Sequence, residues 1–325
     1  MNDTKIPVTI LTGFLGSGKT SLLNHIIQSA SDKRFAVIEN EVGAVNLDSE
    51  FIVGAKEDIF QITDGCLCCT LNIELAKLLN ELVRRRDEFD HLIIETTGIA
   101  DPSGVAAVFV SDLNVQEHFQ LDGIVCVVDS FHIDELLTSK ETEAARQISF
   151  ADALIFNKTD LVDSQKLLKT KQNLKAIHPF AMTLDAMLNM KKPQIDVNKI
   201  LNIKAFEAKQ VEVKTQSTKF ALASRHGNIT AQTYQYTTPF DFLKFRHFVQ
   251  VLMHFQSMRI YRMKGILNME GQPNKVIFQS VQQQVVFTKG SKWQPNETRQ
   301  TTLVVIGNGL NKMAFDKKLK QCFSD

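Results

Sequence analysis

The chain predicts an α/β protein: a doubly wound, mostly parallel sheet of the phosphate-loop type, followed by a second, smaller α+β domain with an antiparallel sheet. Three observations carry that expectation. The stretch Gly13-Phe14-Leu15-Gly16-Ser17-Gly18-Lys19-Thr20 leaves an apolar run, Ile6 to Leu11, and enters the periodic segment Ser21 to Ile27, the strand, glycine turn and helix start of a phosphate cradle. Apolar strands and amphipathic helices then alternate to about residue 183, the rhythm of a parallel sheet with helices on both faces. Beyond residue 209 strands follow one another with few helices, as in a separate antiparallel layer. The expected domains are therefore 1–208 and 209–325.

In the glycine turn, the backbone N–H groups of Gly13, Gly16, Ser17 and Gly18 can close around a phosphate. The helix N-terminus adds partial positive charge, Lys19 reaches the outer phosphates, and Thr20, with Ser21 beside it, offers a hydroxyl to Mg²⁺. A glycine-rich turn holding nothing is the bland alternative, but the complete octapeptide stands here in the strand-to-helix context that binding requires.

The helix after the turn shows Leu22, Leu23, Ile26 and Ile27 on one face and yields to the strand Phe35 to Ile38. Glu39-Asn40-Glu41 follows, placing two carboxylates at a strand's carboxyl end, where open α/β sheets bind ligands; a solvated turn would read the same way. Asp58 to Ile62 predicts another strand. Next come Cys66-Leu67-Cys68-Cys69 and a helix with Leu71, Leu75, Leu78, Leu79 and Leu82 on one side, closed by three arginines. The cysteines precede a helix start, which lowers thiol pKa and favours the metal-binding thiolate. Soft sulfur at Cys66, Cys68 and Cys69 suits Zn²⁺, leaving a fourth position to Glu39, Glu41, water or an outside ligand. A nucleotide-gated binding module or redox sensor, in which the cysteines form a reversible disulfide, is the competing reading. Cys126, inside an apolar strand, reads as a small core residue.

His91 to Glu95 is a strand ending in an acid and followed by Thr96-Thr97-Gly98. Glu95 can hold Mg²⁺ through water while the Gly98 N–H approaches a γ-phosphate. The strand Gly123 to Val128 and the helical Phe131 to Leu137 come next. After the strand Ala153 to Phe156 stands Asn157-Lys158-Thr159-Asp160. The Asp160 carboxylate would accept from N1–H and the 2-amino group of guanine, Asn157 would contact the opposite edge, and the Lys158 stem would lie over the ring. Adenine lacks both donors and would strand a desolvated carboxylate, which costs several kcal/mol; GTP is expected over ATP. A small-molecule kinase has no use for this tetrapeptide. Ser164 to Ala176 and Asp196 to Phe206 predict the last helices of the first domain.

In the second domain, strands are expected at Thr218 to Ala223, Ile229 to Tyr236, Met258 to Leu267, Lys275 to Val281, Val285 to Thr288 and Thr301 to Ile306. A helix with Phe242, Phe245, Val249 and Leu252 on its core face lies among them, and another closes the chain from Lys312 to Phe323.

Composition bounds the function. The 325 residues are 44% hydrophobic and 22% charged, with a formal net charge of +1, which offers no polyanion-binding surface, so nucleic acid is not expected. No window approaches the roughly 18 apolar residues of a membrane span, and the expected setting is the cytoplasm.

Taken together, Thr12 to Thr20, Glu39 to Gly43, Gly65-Cys66-Leu67-Cys68-Cys69, Glu95 to Pro102, Leu121-Asp122-Gly123, Val128-Asp129, His132 and Asn157 to Asp160 resemble the CobW-type family of phosphate-loop GTPases, and within it the YjiA-type members. Arg262-Met263-Lys264-Gly265 and Phe278-Gln279-Ser280-Val281-Gln282 look like that family's R-x-K-G and F-Q-G-V-Q segments, with Ser280 in place of the usual glycine. The resemblance implies a slow GTPase that binds a transition metal through the cysteines and delivers it to a client metalloprotein. Zinc is the commonest assignment, with Co²⁺ or Ni²⁺ as alternatives. It leaves open the client and any nucleotide- or metal-dependent oligomer.

Overall fold

The computed structural model describes residues 5–40, 59–62, 71–138, 142–190, 193, 195–207 and 229–324. The expected strand Thr218 to Ala223 lies outside them. The chain divides into two compact units, Met1–Thr170 with Ala181–Lys204, and Lys171–Phe180 with Ala205–Asp325.

The first unit is built on strands β1 (Ile6–Thr12), β2 (Phe35–Asn40), β3 (Ile59–Ile62), β4 (His91–Glu95), β5 (Phe119–Asp129), β6 (Ala153–Asn157) and β7 (Met182–Asp185). They lie in the order β3-β2-β4-β1-β5-β6-β7, and each described pairing is parallel. Between them run helices α1 (Lys19–Ser29), α2 (Leu71–Arg84), α3 (Pro102–Ser111), α4 (Leu113–His118), α5 (Ile133–Thr138), α6 (Thr142–Phe150) and α7 (Ser164–Ile177), followed by the single turn α8 (Val197–Ile200). Strands β4 and β6 are buried at every position, because helices on both faces leave no polar side and the sequence answers with unbroken apolar runs. Parallel strands all end on one edge, so the glycine turn, Glu39, Glu95, Asp129 and Asn157 share that edge.

Two helices differ from expectation. The predicted helix Asp196 to Phe206 ends at Ile200. Asp196 caps it through Asn198 N, but the backbone N–H groups of Ile203 and Lys204 donate to the buried carboxylate of Asp122 at 3.0 and 2.9 Å. That acceptor, far back in the chain, pulls the backbone out of its helix. Burial raises the Asp122 pKa, partly opposed by those two bonds. The closing helix is also interrupted: a 3₁₀ turn over Leu310–Lys312 precedes α10 (Phe315–Lys320), and Ala314 between them sits at φ 49°.

The second unit carries an antiparallel sheet in the order β11-β10-β9-β12-β8. Its strands are β8 (Ile229–Tyr236), β9 (Ile260–Leu267), β10 (Asn274–Val281), β11 (Gln284–Lys292) and β12 (Thr301–Asn308). One face packs on helix α9 (Phe242–Gln256) through a phenylalanine-rich core, with the Phe240 and Phe245 rings stacked at 5.2 Å and Phe278 edge-on to Phe245 at 5.3 Å. Asp241 caps α9, accepting from Lys244 N at 2.7 Å. Phe245, Val249 and Leu252 are buried as expected, whereas Phe242, the first helical residue, is 40% exposed and meets only the Phe287 edge among the rings described.

The R-x-K-G segment now has a structural account. Lys264 is buried and donates to the Ala205 carbonyl at 3.0 Å, and the buried Arg262 lies over the Phe206 ring at 5.7 Å, so both cations anchor the segment entering this unit. Ser280, where the family usually has glycine, accepts the Met263 N–H at 2.8 Å. Its hydroxyl takes part in joining β10 to β9.

Candidate functional site

The phosphate-loop end of the edge is shaped by backbone conformation. Gly13, Gly16 and Gly18 have φ of 139°, 70° and 105°, values that side chains resist, which is why glycine recurs there. The loop opens α1, whose N-cap, Gly18, supplies no side-chain hydrogen bond to the first turn. Its helix-start N–H groups therefore face the edge. Lys19 is buried, and its Nζ donates to the Gly13 and Phe14 carbonyls at 3.1 and 3.5 Å, which holds the ammonium over the loop. Burial pushes its pKa below the ordinary lysine value, with Glu95 partly opposing. Thr20 Oγ1 donates to Glu95 Oε1 at 2.8 Å, joining the helix start to the end of β4. Glu39 stands in register beside Glu95 on the neighbouring strand. Ser17 Oγ and Thr97 Oγ1 are buried with no partner among the described residues; these hydroxyls, the lysine and the helix-start N–H groups together suit a phosphate ester bearing Mg²⁺.

The segment after Glu95 is pressed against this loop. A methyl group added at Gly98 would come within 2.6 Å of Leu15 N, so only glycine lets the two backbones approach. Gln147 of α6, 1% exposed, donates through Nε2 to the Gly98 and Ala100 carbonyls at 3.0 and 3.2 Å. Asp101 caps α3 and meets Arg146 at 3.4 Å.

At the other end of the edge, both sides of the Asn157 amide are engaged. Nδ2 donates to the Ser17 carbonyl at 2.8 Å and Oδ1 accepts from Leu188 N at 3.0 Å. The residue thereby pins the phosphate loop to the N-K-T-D turn and to the segment after β7. Thr159 Oγ1 donates to the Ala186 carbonyl, and Asn189 Nδ2 donates to Asp160 Oδ2 at 3.2 Å. Lys158, at φ 56°, sends its Nζ to Asp129 Oδ2 at 2.7 Å, and His132 Nδ1 meets the same oxygen at 2.9 Å. Burial alone would raise the Asp129 carboxyl, but the bonds from Lys158 and His132 outweigh it and hold the pKa below its usual value.

The structure thus brings together Gly13 to Thr20, Glu39, Glu95, Gly98, Asn157, Lys158 and Asp160 on one edge, while Glu41, Cys66, Cys68 and Cys69 lie outside the described residues. Among the described residues no group of His, Cys, Asp and Glu is arranged to hold a metal ion. Cys126 and Cys322 are buried free thiols, pushed up to about 12 and about 11 by burial, so neither offers a thiolate. Sequence reasoning missed Gln147 and the Ala186 to Asn189 segment, and it named Asp129 and His132 without their bond to each other. The acid at the end of β5 and the histidine three residues on were visible as a local pattern; Gln147 and the segment after β7 carry no signal until the fold joins them.

The profile of the CobW/HypB/UreG nucleotide-binding domain matches residues 7–185, and that of the cobalamin synthesis protein CobW C-terminal domain matches 229–323. The chain is 32% identical over 307 residues to the zinc chaperone YjiA of Escherichia coli, covering 93% of this chain and 94% of the relative. It is 27% identical over 347 residues to the zinc chaperone CobW of Pseudomonas aeruginosa, covering 97% and 91%. A zinc-regulated GTPase metalloprotein activator of Schizosaccharomyces pombe is 39% identical over 207 residues, which are 62% of this chain and 50% of that one. Among solved structures, the Zn(II)-bound crystal structure of the E. coli YjiA GTPase superposes with a TM-score of 0.76 at 28% identity, covering 99% of this chain and all of the other. The chain belongs to the CobW/HypB/UreG family of nucleotide-binding proteins and carries the CobW C-terminal domain.

Proposed function

We propose that this protein is a slow GTPase that binds a transition metal, zinc first, and couples its nucleotide cycle to metal transfer to, or release from, a client metalloprotein. The observation that carries the nucleotide half is the Asn157 amide, which fastens a guanine-reading turn to a phosphate cradle so that one ligand can span both. In this reading Gly13, Gly16, Ser17, Gly18, Lys19, Thr20 and Ser21 hold the phosphates, and Asp160 accepts from the guanine N1–H and 2-amino group, with Lys158 flanking the ring. Mg²⁺, when bound, would neutralise phosphate charge, with Thr20 holding it directly and Glu95 through water. Water displaces GDP from the γ-phosphorus. Lys19 and the Gly98 N–H would meet the transferred group's oxygens as they gain negative charge, and stabilising that charge would be the protein's main catalytic task.

The metal half rests on the chemistry of Cys66, Cys68 and Cys69 and on the zinc functions given in the relatives' names. Three thiolates bind zinc tightly, and Glu39 or Glu41 could close the shell until a client ligand replaces it. Co²⁺ and Ni²⁺ would compete for the same set. The test is a Zn²⁺ titration of purified protein loaded with GDP and then with a non-hydrolysable GTP analogue, alongside the variant with serine at all three cysteines. Zinc affinity is expected to differ between nucleotide states, and the variant to lose tight zinc while keeping GTP. Equal affinity in both states overturns the coupling, and unchanged zinc binding in the variant overturns the ligand set.

A further inference from the structure

Helix α9 turns one apolar face to its own sheet and exposes further large apolar side chains, among basic ones, on the other. Phe245, Val249, Leu252 and Met253 enter the core. On the opposite side Leu243, His247, Val251 and Phe255 follow one another at four-residue steps, all exposed, with Leu243 at 71% and Phe255 at 72%; Met258, just past the helix end, is 72% exposed. Such a row is an i±4 ridge, the surface feature that seats in the groove of a second helix. At 1.5 Å per residue it runs for about 20 Å. Large apolar side chains gathered in this way mark an interaction surface, whereas scattered ones do not.

Charge distinguishes the face further. No Asp or Glu occurs between Asp241 and Glu270, while Lys244, Arg246, His254 and Arg259 are exposed on and just beyond α9. In a chain whose formal net charge is only +1, this is a local excess of one sign. An anionic membrane would also answer that sign. However, attraction of about 1 kcal/mol per cation at such a surface leaves the three exposed cations Lys244, Arg246 and Arg259 with little hold. A helical partner can match both the ridge and the charge.

We infer that the outer face of α9 is a docking site for an amphipathic helix of another protein, apolar along one side and flanked by Asp and Glu. The inference goes beyond the metal and nucleotide reading, concerns a different part of the chain, and stands or falls separately from it.

The probe is a synthetic twenty-residue amphipathic helix with leucines at i, i+3, i+4 and i+7 and glutamates on its flanks, titrated by fluorescence anisotropy against the full-length protein. A peptide with lysines in place of the glutamates and phosphatidylserine vesicles form the other arms, and sedimentation measures self-association. The acidic peptide should bind in the micromolar range, at least tenfold more tightly than the lysine peptide, and weaken as salt rises. F255S and R246E should each weaken it at least fivefold while leaving GTP hydrolysis, zinc binding and the melting temperature as they are. These side chains are exposed, so the variants should fold. Failure of the acidic peptide to bind, equal binding by F255S, a preference for vesicles, or self-association abolished by F255S would each overturn the inference.

Discussion

Replacing Asn157 by alanine should loosen the two halves of the nucleotide edge at once. Asn157 is 3% exposed, and its amide serves the Ser17 carbonyl at 2.8 Å and the Leu188 N–H at 3.0 Å. Alanine leaves both backbone groups without that partner. A buried polar group deprived of its hydrogen bond costs about 1–3 kcal/mol, so the pair sums to roughly 2–6 kcal/mol, with the low end applying if water enters the space left behind. Asn157→Asp keeps the shape and the acceptor for Leu188, but sets a carboxylate oxygen against the Ser17 carbonyl in a buried site, so it should cost more than the loss of that one bond. Urea unfolding followed by far-UV circular dichroism measures the cost, and calorimetric titration with GDP measures the accompanying fall in affinity. The protein's single tryptophan, Trp293, lies in the other unit, so its fluorescence reports whether the loss is local. A loss below about 0.5 kcal/mol with GDP affinity unchanged would refute the claim that this amide joins the loops.

Gly98→Ala would set a methyl group 2.6 Å from Leu15 N. Hydrolysis should fall by a hundredfold or more with GDP binding largely kept, and a variant of wild-type turnover would show that the close approach is incidental. Asp160→Asn should shift preference from GTP toward xanthosine triphosphate, as competition binding would reveal; an unaltered ratio removes Asp160 from base recognition. His91, bonded to Thr9 Oγ1 at 2.8 Å, is lowered to about 4 by burial and by Lys33, so it stays neutral in the fold and charges first in the unfolded chain. Its contribution is present above pH 6.5 and lost as pH falls toward 4, amounting to about 2 kcal/mol by pH 5. His91→Gln should flatten that part of the stability profile, which urea titrations at pH 7.5 and 5 would detect.

The sheet was readable because burial on both faces writes strands as continuous apolar runs, and the glycine turn because φ near 100° excludes side chains. Ile229 to Tyr236 was placed to the residue. What stayed hidden depends on partners distant in sequence. The helix after Asp196 was expected to continue, since nothing local shows that Asp122 captures its backbone at Ile203 and Lys204. The break at Ala314 is equally silent, because alanine gives no hint of φ 49°. At the site, motif residues announced themselves through their own spacing, whereas Gln147 has no motif and acquires a role only when α6 packs beside the Gly98 turn. His132, visible in the sequence only as part of the family resemblance, has a specific partner in Asp129.

Gln147 also constrains how the turn after Glu95 can move. One amide nitrogen serves two carbonyls there, and it comes from a side chain with almost no access to solvent. If that turn retreats, either the amide is abandoned without water to replace its partners, or α6 travels too. Partial displacement is the costly option, so the turn and the helix behave as a latch with two stops. Hydrogen exchange along Thr142–Phe150 should therefore register whether a third phosphate is present, although no residue of that helix has been assigned to touch it.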